Sequence, residues 1–92
     1  MEREAALVLL EKTHEFPCMF GFRAVIRPTA ESAVVAAMRA ALPQQEISDV
    51  RRKSSSKGNY TSLRVEMWIL EPEQVLEVYA VLGQIEGVIT TL

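Results

Sequence analysis

Residues 60–70 read Tyr60-Thr61-Ser62-Leu63-Arg64-Val65-Glu66-Met67-Trp68-Ile69-Leu70. Thr61, Leu63, Val65, Met67 and Ile69 form one set; Tyr60, Ser62, Arg64, Glu66 and Trp68 form the other. A repeat of two marks a strand with one buried and one open face, because successive Cβ atoms point to opposite sides. Ahead of it lies a turn cluster, Ser54-Ser55-Ser56-Lys57-Gly58-Asn59, in which Gly58 and Asn59 can take positive φ. Glu46 to Lys53 upstream is a second strand. Its apolar positions, Ile47 and Val50, do not alternate strictly, which predicts a bulge or an edge position. These segments make a hairpin.

The hairpin is flanked by two helix signals. Pro28-Thr29 opens the first, with Thr29 read as the N-cap and Glu31 favourable in the first turn. Ala33, Val34, Ala37, Met38, Ala41 and Leu42 fall on one stripe, and Pro43 ends the run. Glu71-Pro72 starts the second, buried through Val75, Val78, Tyr79 and Leu82. Cys18 to Ile26 is a strand with Phe20, Phe22, Ala24 and Ile26 facing the core. Glu86-Gly87 is a turn into a last short strand, Val88–Leu92. The order β-α-β-β-α-β, with right-handed crossovers, predicts a ferredoxin-like α+β sandwich: a four-stranded antiparallel sheet, two helices on one face and the other face uncovered. Glu2 to Lys12 reads as a short leading helix, or alternatively as a strand added at a sheet edge. Residues 1–15 are therefore an extension and 16–92 a single domain.

With 92 residues the chain has room for one domain, which buries about 60–65% of its unfolded surface. Its 49% apolar and 24% charged residues are ordinary for a globular protein. A net charge of −2 gives no global basic field for nucleic acid or anionic membrane. Cys18 is the one cysteine, so no internal disulfide can form, and it is expected as a small buried hydrophobe. The apolar run Ala5–Leu10 is too short to span a bilayer, and Glu2-Arg3-Glu4 makes a poor signal-peptide start. A cytoplasmic location is expected.

Glu15-Phe16-Pro17-Cys18 leading into Phe20 and Phe22, the stretch Arg52 to Tyr60, and Gln74, Tyr79, Leu82 and Gly87-Val88 together resemble the YbeD-like family of small bacterial proteins. The resemblance covers roughly residues 15–92. It implies a ferredoxin-like fold akin to the ACT regulatory domains, and no established activity. Arg27-Pro28 stands where relatives place glycine, so the strand exit departs from the family pattern.

No catalytic constellation is visible. His14, the single histidine, has no partner nucleophile nearby in sequence and is read as a solvated or capping residue. Glu71, Glu73 and Glu77 suit the start of a helix. No cofactor or metal site is expected. Two surfaces are candidates for binding. In the hairpin, Arg51, Arg52, Lys53 and Lys57 gather four of ten basic residues beside Ser54, Ser55, Ser56, Gly58 and Asn59. That composition could cradle a phosphate or carboxylate; the alternative is a solvated turn, and the spacing is no P-loop. On the open face, Tyr60, Arg64 and Trp68 point the same way, joined by Met19 and Arg23, a composition typical of interfaces. Either the leading segment covers this face or two copies pair through it. The candidate residues are Arg52, Lys53, Ser54, Ser56, Lys57, Gly58, Tyr60, Arg64 and Trp68. The expected role is a non-enzymatic regulatory or interaction module, a homodimer that binds a small anionic metabolite or a partner protein. RNA binding is the alternative, disfavoured because Lys57-Gly58-Asn59-Tyr60 lacks the following aromatics of the RNA-binding signature.

Overall fold

The computed structural model describes residues 2–92. Its elements are α1 (Arg3–Thr13), β1 (Cys18–Ile26), a 3₁₀ turn (Pro28–Ala30), α2 (Glu31–Ala41), β2 (Ile47–Ser54), β3 (Thr61–Ile69), α3 (Pro72–Leu82) and β4 (Val88–Thr91). The four strands form one antiparallel sheet in the order β2-β3-β1-β4. The architecture is α+β, a four-stranded sheet with three helices.

Alternation in β1 and β3 decides what is inside. The two strands pair along their whole length, from Cys18 opposite Ile69 to Ile26 opposite Thr61. Residues directly opposite share a face, so Phe20, Phe22, Ala24 and Ile26 line up with Met67, Val65, Leu63 and Thr61. All are buried, beneath Val34, Met38 and Leu42 from the α2 side and Val75, Val78 and Leu82 from α3. Phe22 stacks edge-on against Tyr79, with ring centroids 5.2 Å apart. The Tyr79 hydroxyl donates to the Leu92 carbonyl at 3.0 Å, tying α3 to the end of β4. Burial pushes the Tyr79 phenol pKa up.

β2 is an edge strand, and its register on β3 shifts between Ile47 and Asp49. The weak patterning reflects both features, since an edge strand beyond a bulge buries little: only Ile47 and Val50 pack on the core.

Several sequence expectations need correction. Thr29 is not the N-cap of α2. Pro28 starts a 3₁₀ turn, closed by the Ala30 amide donating to the Arg27 carbonyl, and Ala30 holds the cap position without a side-chain hydrogen bond. Ala33 is exposed, because the buried stripe of α2 narrows to Val34 and Met38. Gly58 takes φ +73°, whereas Asn59 keeps negative φ. Cys18 is only half-buried; that burial still raises its thiol pKa.

The leading segment is a helix, and it does not cover the open face. α1 packs against α3, and its Leu10 joins the core from the helical side. His14 is the C-cap of α1: its amide donates to the Leu10 carbonyl at 2.9 Å, and its ring lies 5.0 Å from that of Phe20.

Gly87, at the entry to β4, has φ +95°, and a Cβ there would sit 2.8 Å from the Ala30 Cβ. Left-handed backbone and overpacking both penalise a side chain at this position. Gly87→Ala is expected to destabilise the protein by about 1–3 kcal/mol, read as a lower urea midpoint with an unchanged m-value.

Candidate functional site

The pairing that buries one side of β3 places its other side, with matching residues of β1 and β2, on the uncovered face. Arg64 is opposite Arg23 on β1 and opposite Arg51 on β2. Three arginines therefore lie in one row across three adjacent strands, with strand spacing of about 4.8 Å. One row further along come Val25, Ser62 and Lys53; one row back come Gly21, Glu66 and Asp49; beyond those lies Met19 opposite Trp68. The face is banded: apolar, acidic, basic, then mixed. A depression of about 340 Å³ opens over the basic band, lined by Arg23, Arg51, Lys53, Ser62 and Arg64 among others.

The cations are unequally neutralised. Arg51 Nε donates to Asp49 Oδ2 at 2.7 Å, and Asp49 raises the Arg51 pKa. Arg64 Nε lies 3.4 Å from Glu66 Oε1, near enough for attraction but outside hydrogen-bond geometry, and this buried nitrogen has no hydrogen-bond acceptor among the described residues. Arg23 and Lys53 form no ion pair among the described residues. The Arg64 guanidinium rests on the bare backbone of Gly21: a Cβ there would lie 2.9 Å from both Nε and Nη2.

Arg52 faces the other way. Its opposite number is Leu63, an inward residue, and at this edge the side chain reaches α2. Nε and Nη2 donate to Glu31 Oε1 and Oε2, each at 2.7 Å. Ser54 is opposite Thr61 at the end of β2, while Ser56, Lys57 and Gly58 are exposed at the hairpin tip. The tip closes on itself: the Gly58 amide donates to the Ser55 carbonyl, and the Tyr60 amide to Ser55 Oγ. Those two amides are thus occupied within the turn. Lys53, Tyr60, Arg64 and Trp68 belong to the open face, and Tyr60 and Trp68 are both nearly half exposed. The structure therefore divides the sequence candidates between two sides. It also brings Arg51 onto the open face beside Ser62, which the alternation of β3 had already placed there. The pairing fixes this placement: with Val50 opposite inward Val65, Arg51 points outward and Arg52 back toward the helices, a phase that the irregular β2 pattern alone does not give.

A family model described as "Protein of unknown function (DUF493)" matches residues 11–92. The chain belongs to this family. The resemblance to YbeD-like proteins is borne out. A UPF0250 protein of Neisseria gonorrhoeae is 33% identical over 70 residues, covering 74% of this chain and 77% of that protein. A UPF0250 protein of Shewanella woodyi is 36% identical over 76 residues, covering 80% and 84%. Among solved structures, protein HP0495 from H. pylori superimposes with a TM-score of 0.75 at 19% identity, covering 86% of this chain and 85% of that one. The C-terminal domain of the MgtC protein from Mycobacterium tuberculosis gives 0.68 at 18% identity, covering 86% and 88%. At such identities the likeness is one of fold. Family membership carries no assigned activity. No helix among the described residues is long and apolar enough to cross a membrane.

The hydrogen bonds from Arg52 hold the Glu31 carboxyl below its ordinary pKa. A depressed folded-state pKa means the stabilisation is complete above the ordinary glutamate value and is lost as pH falls through the lower one. Glu31→Gln is expected to have a lower urea midpoint than wild type at neutral pH. The two midpoints should converge on acidification, as protonated Glu31 loses its ionic attraction.

Proposed function

We propose that this protein is a non-enzymatic binding module whose uncovered sheet face receives an anionic ligand or an anionic group on a partner protein. The observation that carries this reading is the Arg51–Arg64–Arg23 row. Like charges directly opposite one another in a sheet are destabilising, and this chain has a net charge of −2. The row therefore does not follow from a generally basic composition, nor does it help the fold. Arginine is suited to bind carboxylate or phosphate through two parallel hydrogen bonds. The strand order and the two strand-helix-strand crossovers support a ferredoxin-like, ACT-like arrangement, and regulatory binding fits that fold without following from it.

Pairing of two copies is a second reading, favoured by a separate observation. Met19 and Trp68 form an exposed apolar patch in which the Ser48 hydroxyl donates to the Met19 sulfur at 3.2 Å. The acidic and basic rows lie side by side, so a second copy turned end over end would set Asp49 and Glu66 against Arg51 and Arg64. RNA binding is less well supported, because the acidic row separates Trp68 from the arginines and interrupts a continuous basic track.

A thermal-shift panel of amino acids, nucleotides and small carboxylic acids tests the main reading. A binding member at about ten times its Kd adds about 1.4 kcal/mol, a Tm rise of about 5–10 °C for a domain of this size. The rise is expected for wild type and lost in Arg64→Gln, whose own Tm stays close to wild type. A panel without a hit argues against an anionic metabolite. Sedimentation of wild type and Trp68→Ser then reads the second reading directly: a dimer dissociated by that substitution would support it.

A further inference from the structure

The charge arrangement on the open face narrows the ligand class, resting on the reading just given. Arg23, Arg51, Arg64 and Lys53 line the depression above β1, β3 and β2, together with Arg52, whose guanidinium is turned away to Glu31. Two carboxylates, Asp49 and Glu66, stand beside them in the adjacent row. Arg51 is paired with Asp49 through its Nε, and Arg64 is drawn toward Glu66 through its Nε without a hydrogen bond. Arg23 and Lys53 carry no carboxylate partner among the described residues. Two positive charges are left over, and they sit on opposite sides of Arg64 and Ser62, on β1 and β2 respectively.

We infer that the depression between Arg23, Arg64 and Lys53 is a binding site for a compact dianion, a phosphomonoester or a small dicarboxylate. The unneutralised charge matches two negative charges and exceeds one. The donors are of the right kind: guanidinium groups from Arg23 and Arg64, an ammonium from Lys53 and the Ser62 hydroxyl, which can donate to an anion oxygen. The Arg64 guanidinium lies flat on the bare backbone of Gly21, where a Cβ would collide with it, so it sits low on the sheet at the floor of the depression. The depression, at about 340 Å³, is at the small end of the range for small-molecule sites. Asp49 and Glu66 act here as competitors of the ligand for Arg51 and Arg64.

The experiment is an ¹⁵N-resolved titration of the intact chain at fixed ionic strength and mildly alkaline pH. The probes are methyl phosphate and succinate as dianions, dimethyl phosphate and acetate as monoanions, and a hexaglutamate peptide. At least one dianion should shift the Arg64 Nε–H and the Arg23, Ser62 and Arg64 amides saturably, roughly tenfold tighter than its monoanion counterpart. Which of methyl phosphate and succinate binds identifies the source of the two charges. Arg23→Gln and Lys53→Gln should each weaken that binding by about tenfold. Asp49→Asn should tighten it, a change that a purely structural role for Asp49 would not produce. Gly21→Ala should shift the Arg64 Nε–H signal in the free protein and weaken binding, while leaving the Tm near wild type because only a flexible side-chain end must move. Equal binding of dianions and monoanions, weaker binding in Asp49→Asn, or shifts mapping away from these residues would overturn the inference. If hexaglutamate alone moves these signals, the dianion site is wrong and the anion-binding face stands. If no probe moves them, both fall.

Discussion

Burial of one side of β3 governs the rest of the molecule. This strand lies between β1 and β2, and both neighbours take their register from it. Thr61, Leu63, Val65, Met67 and Ile69 are all buried, so a slip of one residue would turn that entire set into water and bring Ser62, Arg64 and Glu66 into the core. Burying a Leu, Val or Met side chain is worth about 1.5–3 kcal/mol, and burying an unpaired guanidinium is strongly unfavourable. The register is therefore held from both sides, and the outward positions inherit its precision. Arg23 and Arg51 meet Arg64 because the opposite side of the same residue pairs is packed beneath α2 and α3.

The same constraint explains why adjacent basic residues in one strand have unrelated tasks. Arg51 and Arg52 are neighbours in sequence, yet one lies on the open face with Asp49 and the other clamps Glu31 of α2. The edge position of β2 makes the second arrangement possible. An inward arginine in a central strand would be sealed into the core, whereas at an edge the side chain passes around the rim and keeps its charge partly in solvent. Arg52 thus fastens the edge strand to the helical layer, and Glu31 neutralises it there. The basic character of the hairpin is in effect divided: part of it is absorbed by the fold, and part is left exposed on the sheet.

Much of this was legible in the sequence because strict alternation carries face as well as strand identity. β1 and β3 alternate without interruption, so Met19, Arg23, Tyr60, Arg64 and Trp68 could be assigned to a common face before any pairing was known. β2 could not be read in this way. The bulge at Ser48 resets the phase, and an edge strand needs few apolar residues to define its inner side, so the outward placement of Arg51 and Lys53 depended on a register that local patterning hides. Long-range partners were hidden for a different reason. Arg52 and Glu31 are 21 residues apart, and nothing in their local surroundings announces the pair. Thr29 resembled a cap because the sequence Pro-Thr-Ala-Glu does not reveal that a 3₁₀ turn precedes the helix. α1 gave a helical composition but no indication that it would dock on α3, since no α1 residue is fully buried.

The order of the bands on the open face matters as much as their content. Trp68 and Arg64 are two rows apart, roughly 13 Å along the strand, with Glu66 between them. Had the arginine row been next to Trp68, a guanidinium could have folded over the indole in a cation–π contact, removing both groups from use. The acidic row prevents that collapse. It draws Arg51 and Arg64 toward itself, leaves Trp68 and Met19 bare, and leaves Arg23 and Lys53 without an ion pair among the described residues. Gly21 completes the arrangement: a side chain there would lift the Arg64 guanidinium off the sheet and fill the gap between the acidic and basic rows. A face arranged only for solubility would intersperse its charges to minimise repulsion. This one groups like with like, accepts the repulsion between three neighbouring arginines, and offsets only part of it. The part not offset is the cationic surface that an anionic ligand would complete.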